Sequence, residues 1–435
     1  MKNSVNVIGA GLAGCEAAYY LANKSINVNL YEQKPIKKSP AHHIDSYAEL
    51  VCSNSLKASR INSAGGLLKA EMREFGSICL EAADVTQVPA GGALAVNRYD
   101  FSQYITEKIK SHPNINVIEK EVTQIPEDEL TIIATGPLTD GEFAKSVSEL
   151  TGEYLSFFDA AAPIVTAQSV DSETSFTQSR YDRGDADDYI NCPMDKEEYE
   201  LFYNQLVLAE SADLHSFDKP NVYEGCMPIE IMAKRGADTM RFGPLKPVGL
   251  TNPKTGHRPW ANLQLRKENK EGTLYNLVGF QTNLKFSEQK RVFSLIPALK
   301  NAEFVRYGVM HRNSFINSPK LLDNNFRLKS NNNIWFAGQI TGVEGYMESA
   351  MSGIIAAESV FRATKGIEQL NLPCSTMCGA LTHYISSDDK KDFQPMGANF
   401  GIIEHNHSQI RDKQERYMKI AQKAIQDIRN SLNKN

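Results

Sequence analysis

Two of the seven cysteines stand where a thiol could act as a nucleophile. Cys226 lies in Tyr223-Glu224-Gly225-Cys226-Met227-Pro228-Ile229-Glu230, between a glycine and a proline, with Lys234 and Arg235 shortly after. A turn-borne thiol near cations can have its pKa depressed, and the thiolate is the form that adds to electrophilic carbon. Cys52, in Leu50-Val51-Cys52-Ser53-Asn54-Ser55, sits in a polar loop. Either residue could equally be a buried structural thiol, so what stands beside it decides. Cys15, Cys79 and Cys192 have no comparable surroundings. Cys374 and Cys378, followed by His383, His405 and His407, lack the paired spacing of a zinc site, and no metal is expected.

The elements that must position such a thiol begin at the first residues. An apolar strand, Val5 to Ile8, runs into Gly9-Ala10-Gly11-Leu12-Ala13-Gly14 and then into a helix with apolar spacing. In this G-x-G-x-x-G order Gly9 permits a tight turn, Gly11 lets backbone approach a pyrophosphate, and Gly14 allows close helix packing. A second strand, Ile26 to Tyr31, ends at Glu32, placed to hydrogen-bond ribose hydroxyls. A late apolar strand, Asn333 to Ile340, ends at Gly338-Gln339 and is followed by Gly342, Gly345 and a small-residue helix, Ser349 to Phe361. Two separated segments of this kind favour FAD over NAD. Leu12-Ala13-Gly14-Cys15 also resembles a lipoprotein cleavage site, but Asn6 and two glycines break the apolar stretch that a signal peptide requires.

Between these ends, Ala41 to Ser59 reads as loop, Phe101 to Lys110 as helix, Asn116 to Glu119 as a short strand and Leu130 to Pro137 as a buried strand stopped by Gly-Pro. Beyond about residue 166 the pattern turns acidic, aromatic and proline-rich. The expected fold is α/β: a discontinuous Rossmann-like FAD domain of the two-dinucleotide flavoprotein type, with an α+β insertion. Residues 1–165 and 305–435 form the FAD domain, the latter ending in an amphipathic helix from Gln414 to Leu432, and residues 166–304 form the insertion.

A chain of 435 residues with a net charge of -5 is no general polyanion binder, so any RNA contact must come from a local patch. Lys234 to Lys270 carries nine basic residues against Asp238 and Glu268. Lys254, Arg258 and Arg266 are its candidate phosphate contacts. No segment has the apolar length of a membrane span, and a soluble, cytoplasmic protein with reduced thiols is expected.

Several blocks carry a family resemblance. His42-His43, Glu49 to Leu56, Val88 to Val96, Asp159 to Val165, Glu224 to Glu230, Tyr307 to Asn313 and Ala337 to Tyr346 together resemble the bacterial folate- and flavin-dependent tRNA uracil-5 methyltransferases over nearly the whole chain. The resemblance implies FAD as cofactor, 5,10-methylenetetrahydrofolate as carbon donor, NAD(P)H as reductant, and a T-loop uridine of tRNA as substrate. It implies no membrane and no obligate protein partner. Flavin would be both one-carbon carrier and reductant. Cys226 would be the thiolate that adds to uracil C6, and Cys52 would lie near the flavin, with the choice between them for the uracil bond left open. Tyr346 and His311 would wall the pterin or uracil ring. Three other readings stay open: the same chemistry on ribosomal RNA, a wobble-uridine flavoprotein lacking the Gly225-Cys226-Met227-Pro228 block, and a non-catalytic flavin-dependent RNA-binding module.

Overall fold

A computed structural model of the chain describes residues 4–39, 41–152, 154–182, 185, 187–212, 227–388 and 393–433. Cys226 lies outside the described residues. Ser4–Ile8 forms the central strand of a five-stranded sheet in the order Ile334–Phe336, Thr131–Ile133, Ser4–Ile8, Asn27–Glu32, Ile115–Glu119. All four pairings are parallel, with Val7 opposite Leu30 on one side and Ile132 on the other. Strands buried on both faces need apolar side chains at successive positions, and Ile132, Ile133, Trp335 and Phe336 supply them.

The Leu12–Asn23 helix packs on the long Tyr346–Lys365 helix through small residues. A Cβ on Gly353 would lie 2.1 Å from the Ala13 carbonyl oxygen, and one on Gly14 1.8 Å from that of Gly9. These glycines are fixed by backbone approach. The helices bind the first and last parts of the parallel sheet into one core, to which the Lys413–Leu432 helix adds Ile420, Ala421, Ala424 and Ile428.

A second, six-stranded sheet has the order Phe176–Thr177, Tyr189–Met194, Ala261–Lys267, Leu274–Leu277, Ile164–Thr166, Phe304–Arg306, with antiparallel pairings throughout. In Ala261–Lys267 apolar and polar side chains alternate, as a two-faced strand requires. Leu263 and Leu265 enter a separate core with Phe202, Phe280 and Phe293 from the flanking helices Lys196–Leu208 and Phe286–Phe293 and the turn before the latter. The other face carries Asn262, Gln264 and Arg266. Its covering is partly the first domain: the Tyr189 hydroxyl donates to the Ala90 carbonyl at 2.9 Å and the Gly91 N–H to Asp188 at 2.7 Å. An antiparallel pair, Leu155–Ala160 with Met310–Phe315, joins the two sheets.

Three arginines fasten the loop bearing Cys52 to this arrangement. Arg98 makes a buried two-point ion pair with Glu268, at 2.8 and 3.0 Å, and donates to the Leu50 carbonyl at 3.0 Å. Arg306 donates to the Val51 carbonyl at 2.6 Å, and Arg266 to Asn54 Oδ1 at 2.9 Å and Ser53 Oγ at 2.8 Å.

Candidate functional site

A cleft of about 1290 Å³, partly open to solvent, runs along the carboxyl ends of the parallel strands. Ligands of open α/β sheets bind at that edge. Its floor is the turn from Gly9 to Ala13. Gly9 has φ +100°, and a Cβ there would sit 2.6 Å from the Ala134 carbonyl oxygen, so only glycine fits. Gly11 is different: a Cβ would meet no atom within 4 Å and would project into open space. Gly11 is also the N-cap of Leu12–Asn23, without a side-chain cap and without an acid in the first turn, which leaves helix N–H groups and the positive dipole end for an anion.

Glu32 closes the far side. It is buried at the end of Asn27–Glu32, where its carboxylate accepts from the N–H groups of Ala10 at 2.7 Å and Lys34 at 2.9 Å. This couples the acid to the glycine turn and still leaves lone pairs for a hydroxyl. On the opposite wall Gly338, at φ +86°, has its N–H held by Ser352 Oγ at 2.7 Å, and Gln339 donates to Glu344. A glycine turn with open space before it, an uncapped helix end, a buried acid at the end of the second strand and a second glycine turn are the parts a dinucleotide requires, and the residues present fit FAD.

Cys52 and Tyr346 meet at the inner end. The Tyr346 hydroxyl accepts from the backbone N–H groups of Cys52 at 2.7 Å and Ser53 at 3.1 Å, and the Cys52 thiol points to the Ala160 carbonyl oxygen at 3.7 Å. Burial, then nearby Asp159, pushes the Cys52 thiol well above its usual range, against the smaller opposing effects of Arg98 and Arg306. The thiol is therefore protonated at neutral pH. Burial likewise keeps His311 low, with Arg306 and His43 adding to the effect, so its imidazole is neutral. His42, which lines the cleft, is pushed down to about 4 by burial and Lys34. Glu344 moves the other way: burial and Asp159 raise it to about 8.

One expected contact changes character. Arg266 belongs to the basic segment by sequence but is only 7% exposed, because strand alternation turns it inward onto Asn54 and Ser53. It is not part of an exposed phosphate-binding face. Arg258 is exposed, and Lys254 is exposed with its ammonium donating to the Ser172 carbonyl at 3.2 Å. The same basic stretch of sequence holds two exposed aromatics that charge counting missed, Phe242 at 83% and Trp260, whose ring centroid lies 3.8 Å from the Arg241 guanidinium carbon. Glu344, His42 and Arg306 were also missed as individual site residues. They become recognisable only when separated segments fold together. Among the described residues no group of three His, Cys, Asp or Glu side chains could hold a metal, and no helix is long and apolar enough to cross a membrane.

A family model described as glucose inhibited division protein A matches residues 4–368. The methylenetetrahydrofolate--tRNA-(uracil-5-)-methyltransferase TrmFO of Acetivibrio thermocellus is 58% identical over 435 residues, all of both chains. Relatives of the same name from Listeria monocytogenes and Bacillus pumilus are 56% and 55% identical and cover 99% and 98% of this chain. Among solved structures, Aquifex aeolicus GidA aligns at a TM-score of 0.68 and 14% identity, over 99% of this chain and 75% of that one, a likeness of fold. The chain belongs to the glucose inhibited division protein A family and, within it, to the group of methylenetetrahydrofolate--tRNA-(uracil-5-)-methyltransferases.

Proposed function

We propose that the protein is an FAD-dependent RNA methyltransferase that makes 5-methyluridine in the T-loop of tRNA, with 5,10-methylenetetrahydrofolate as carbon donor and NAD(P)H as reductant, and that it works in the cytoplasm. The observation that carries this is the meeting of the dinucleotide cleft with the Cys52–Tyr346 end, in a chain 55–58% identical to its relatives over nearly its whole length. Gly9, Ala10, Gly11, Leu12, Ala13, Gly14, Glu32, Gly338 and Gln339 would hold the cofactor. When bound, FAD supplies the redox chemistry that turns the transferred one-carbon unit into a methyl group.

The remaining steps belong to the protein. Uracil C5 is a weak nucleophile, and addition of a thiolate at C6 makes it an enolate carbon that can attack the one-carbon electrophile. Loss of the C5 proton then lets the sulfur–C6 bond break. Cys226 is the better candidate for that thiolate, because Cys52 is held as a thiol by burial. Glu344, buried and bonded to Gln339 of the cleft, is raised to about 8 and so keeps a proton near neutral pH. Tyr346 orients the Cys52 loop, and neutral His311 can stack on a ring without adding charge.

The division into a FAD domain of residues 1–165 and 305–435 and an insertion of 166–304 is supported by the two separate cores and by the adjacent, mutually paired strands Ile164–Thr166 and Phe304–Arg306, through which the chain enters and leaves the second sheet. Lys254 and Arg258 lie in the same stretch of sequence as exposed Phe242 and Trp260, which combines phosphate contacts with aromatic side chains as RNA binding requires. Mass spectrometry of RNA from a deletion strain tests the assignment. The T-loop 5-methyluridine should vanish, whereas loss of a methyl group from ribosomal RNA alone, or of a wobble modification, would refute it.

A further inference from the structure

The Cys52 loop also borders another, smaller chamber of about 330 Å³, partly open to solvent, whose lining includes Cys52, Ser53, Ala162, Arg266, Asn276 and Gln281. Val51 lines the large cleft and Cys52 and Ser53 line the chamber, so one loop borders both. Arg266 and Asn276 stand directly opposite each other on the antiparallel strands Ala261–Lys267 and Leu274–Leu277, on the polar face of that sheet. Arg266 is anchored by Asn54 and Ser53, which fixes a guanidinium at the wall. Asn276 is 3% exposed and its side-chain Nδ2 has no hydrogen-bond partner. Buried donors are nearly always paired, and an unpaired one on a residue that lines a cavity is available to an acceptor from outside the chain. The chain resumes its described course against the same wall: the Ile229 N–H, three residues after Cys226, donates to the Gln281 carbonyl at 2.7 Å.

The donors select a chemistry. Uracil and cytosine share the O2 carbonyl and differ at C4, where uracil presents a carbonyl oxygen to a donor and cytosine would turn an amino group toward it. An enzyme acting on a base must also take it out of its stack and hold it in a fitted pocket. We propose that this chamber receives the pyrimidine ring of the target uridine, with Asn276 Nδ2–H donating to O4, the atom that cytosine replaces with an amine. The proposal rests on the RNA uracil function given above and adds the seat of the base.

The test uses the full chain loaded with FAD and T-loop minihelices carrying uridine, cytidine or an abasic site at the target position. One net hydrogen bond corresponds to a preference of about tenfold for the uridine RNA over the other two. Asn276→Asp, which keeps the size but replaces the donor, should abolish that preference while leaving the flavin spectrum and abasic-RNA affinity unchanged. Ala162→Leu, which fills the chamber without touching its polar groups, should do the same. A folded, yellow Asn276→Asp protein that still prefers uridine overturns the proposal, as does a wild-type protein with no preference. Loss of tetrahydrofolate binding, followed by flavin absorbance, with base preference intact would assign the chamber to folate and overturn it too. Methyl transfer by the wild type is scored separately. Its absence on every RNA would refute the function, while base preference still judges the chamber.

Discussion

At the scale of single residues, Gly9 and Gly11 separate folding from binding. A Gly11→Val side chain enters open space from an ordinary backbone conformation, so stability should change by less than about 1 kcal/mol while the cofactor's approach is blocked. Gly9→Val meets the Ala134 carbonyl oxygen from a left-handed φ and should cost more than about 2 kcal/mol. Absorbance near the flavin bands together with thermal melts distinguishes them: colourless but stable for Gly11→Val, unstable for Gly9→Val. The thiols divide in a similar way. Cys226→Ala should keep the flavin spectrum and lose methylation. Cys52→Ala should alter the flavin spectrum as well, since Cys52 sits on the loop bordering the cleft. An active Cys226→Ala enzyme would remove that residue from the nucleophile's role.

At the scale of elements, buried carboxylates cap helices from a distance. Glu71 accepts from the N–H groups of Met377 at 2.7 Å and Cys378 at 2.8 Å at the start of Met377–Ser386, and Glu16 does the same for Ile78 and Cys79 at the start of Ile78–Thr86. Burial raises Glu71 to about 7. The native protein therefore keeps a proton there that the unfolded chain releases near 4.5, and this group's contribution to stability falls as pH rises between those values. Glu71→Gln has no proton to lose. Wild-type stability relative to that variant should decline by at most about 3 kcal/mol from pH 4.5 to 7 in denaturant titrations. A difference independent of pH would contradict the buried, protonated carboxyl. The elements were legible in part: Ser55–Ala58, expected as loop, is a strand paired with Ala93–Val96, and the helices Ala64–Glu74 and Ile78–Thr86 were not read from the sequence. The first strand–helix–strand, the late strand and the terminal helix announce themselves by local patterns, and their observed ends differ by a few residues from expectation. What covers each face was not legible. Asn262, Gln264 and Arg266 alternate with leucines as in any half-exposed strand, and only contacts with Ser53 and Asn54, more than two hundred residues away, show that Arg266 is inside. The buried Arg98–Glu268 pair, the orphan Asn276 amide and the raised Glu344 arise in the same way from distant segments.

For the whole molecule, an acidic chain must gather RNA phosphates at one place. Charge reversal at Lys254 and Arg258 together should weaken minihelix binding and reduce the slope of log affinity against log salt by about 2, with FAD content unchanged. Reversal at Arg266 should instead reduce stability, because it leaves an unpaired charge inside. An unchanged salt slope in the double variant would move the RNA surface elsewhere. The central claim is that the dinucleotide cleft and the two cysteines, Cys52 and Cys226, serve one reaction on the tRNA T-loop. Transfer of label from [methylene-labelled] methylenetetrahydrofolate to a T-loop minihelix and, separately, to a ribosomal RNA fragment, by FAD-loaded protein with NAD(P)H, tests it most directly. The account predicts label in the minihelix uridine and none in the ribosomal fragment. Label in the ribosomal fragment alone, or in neither RNA, would contradict it.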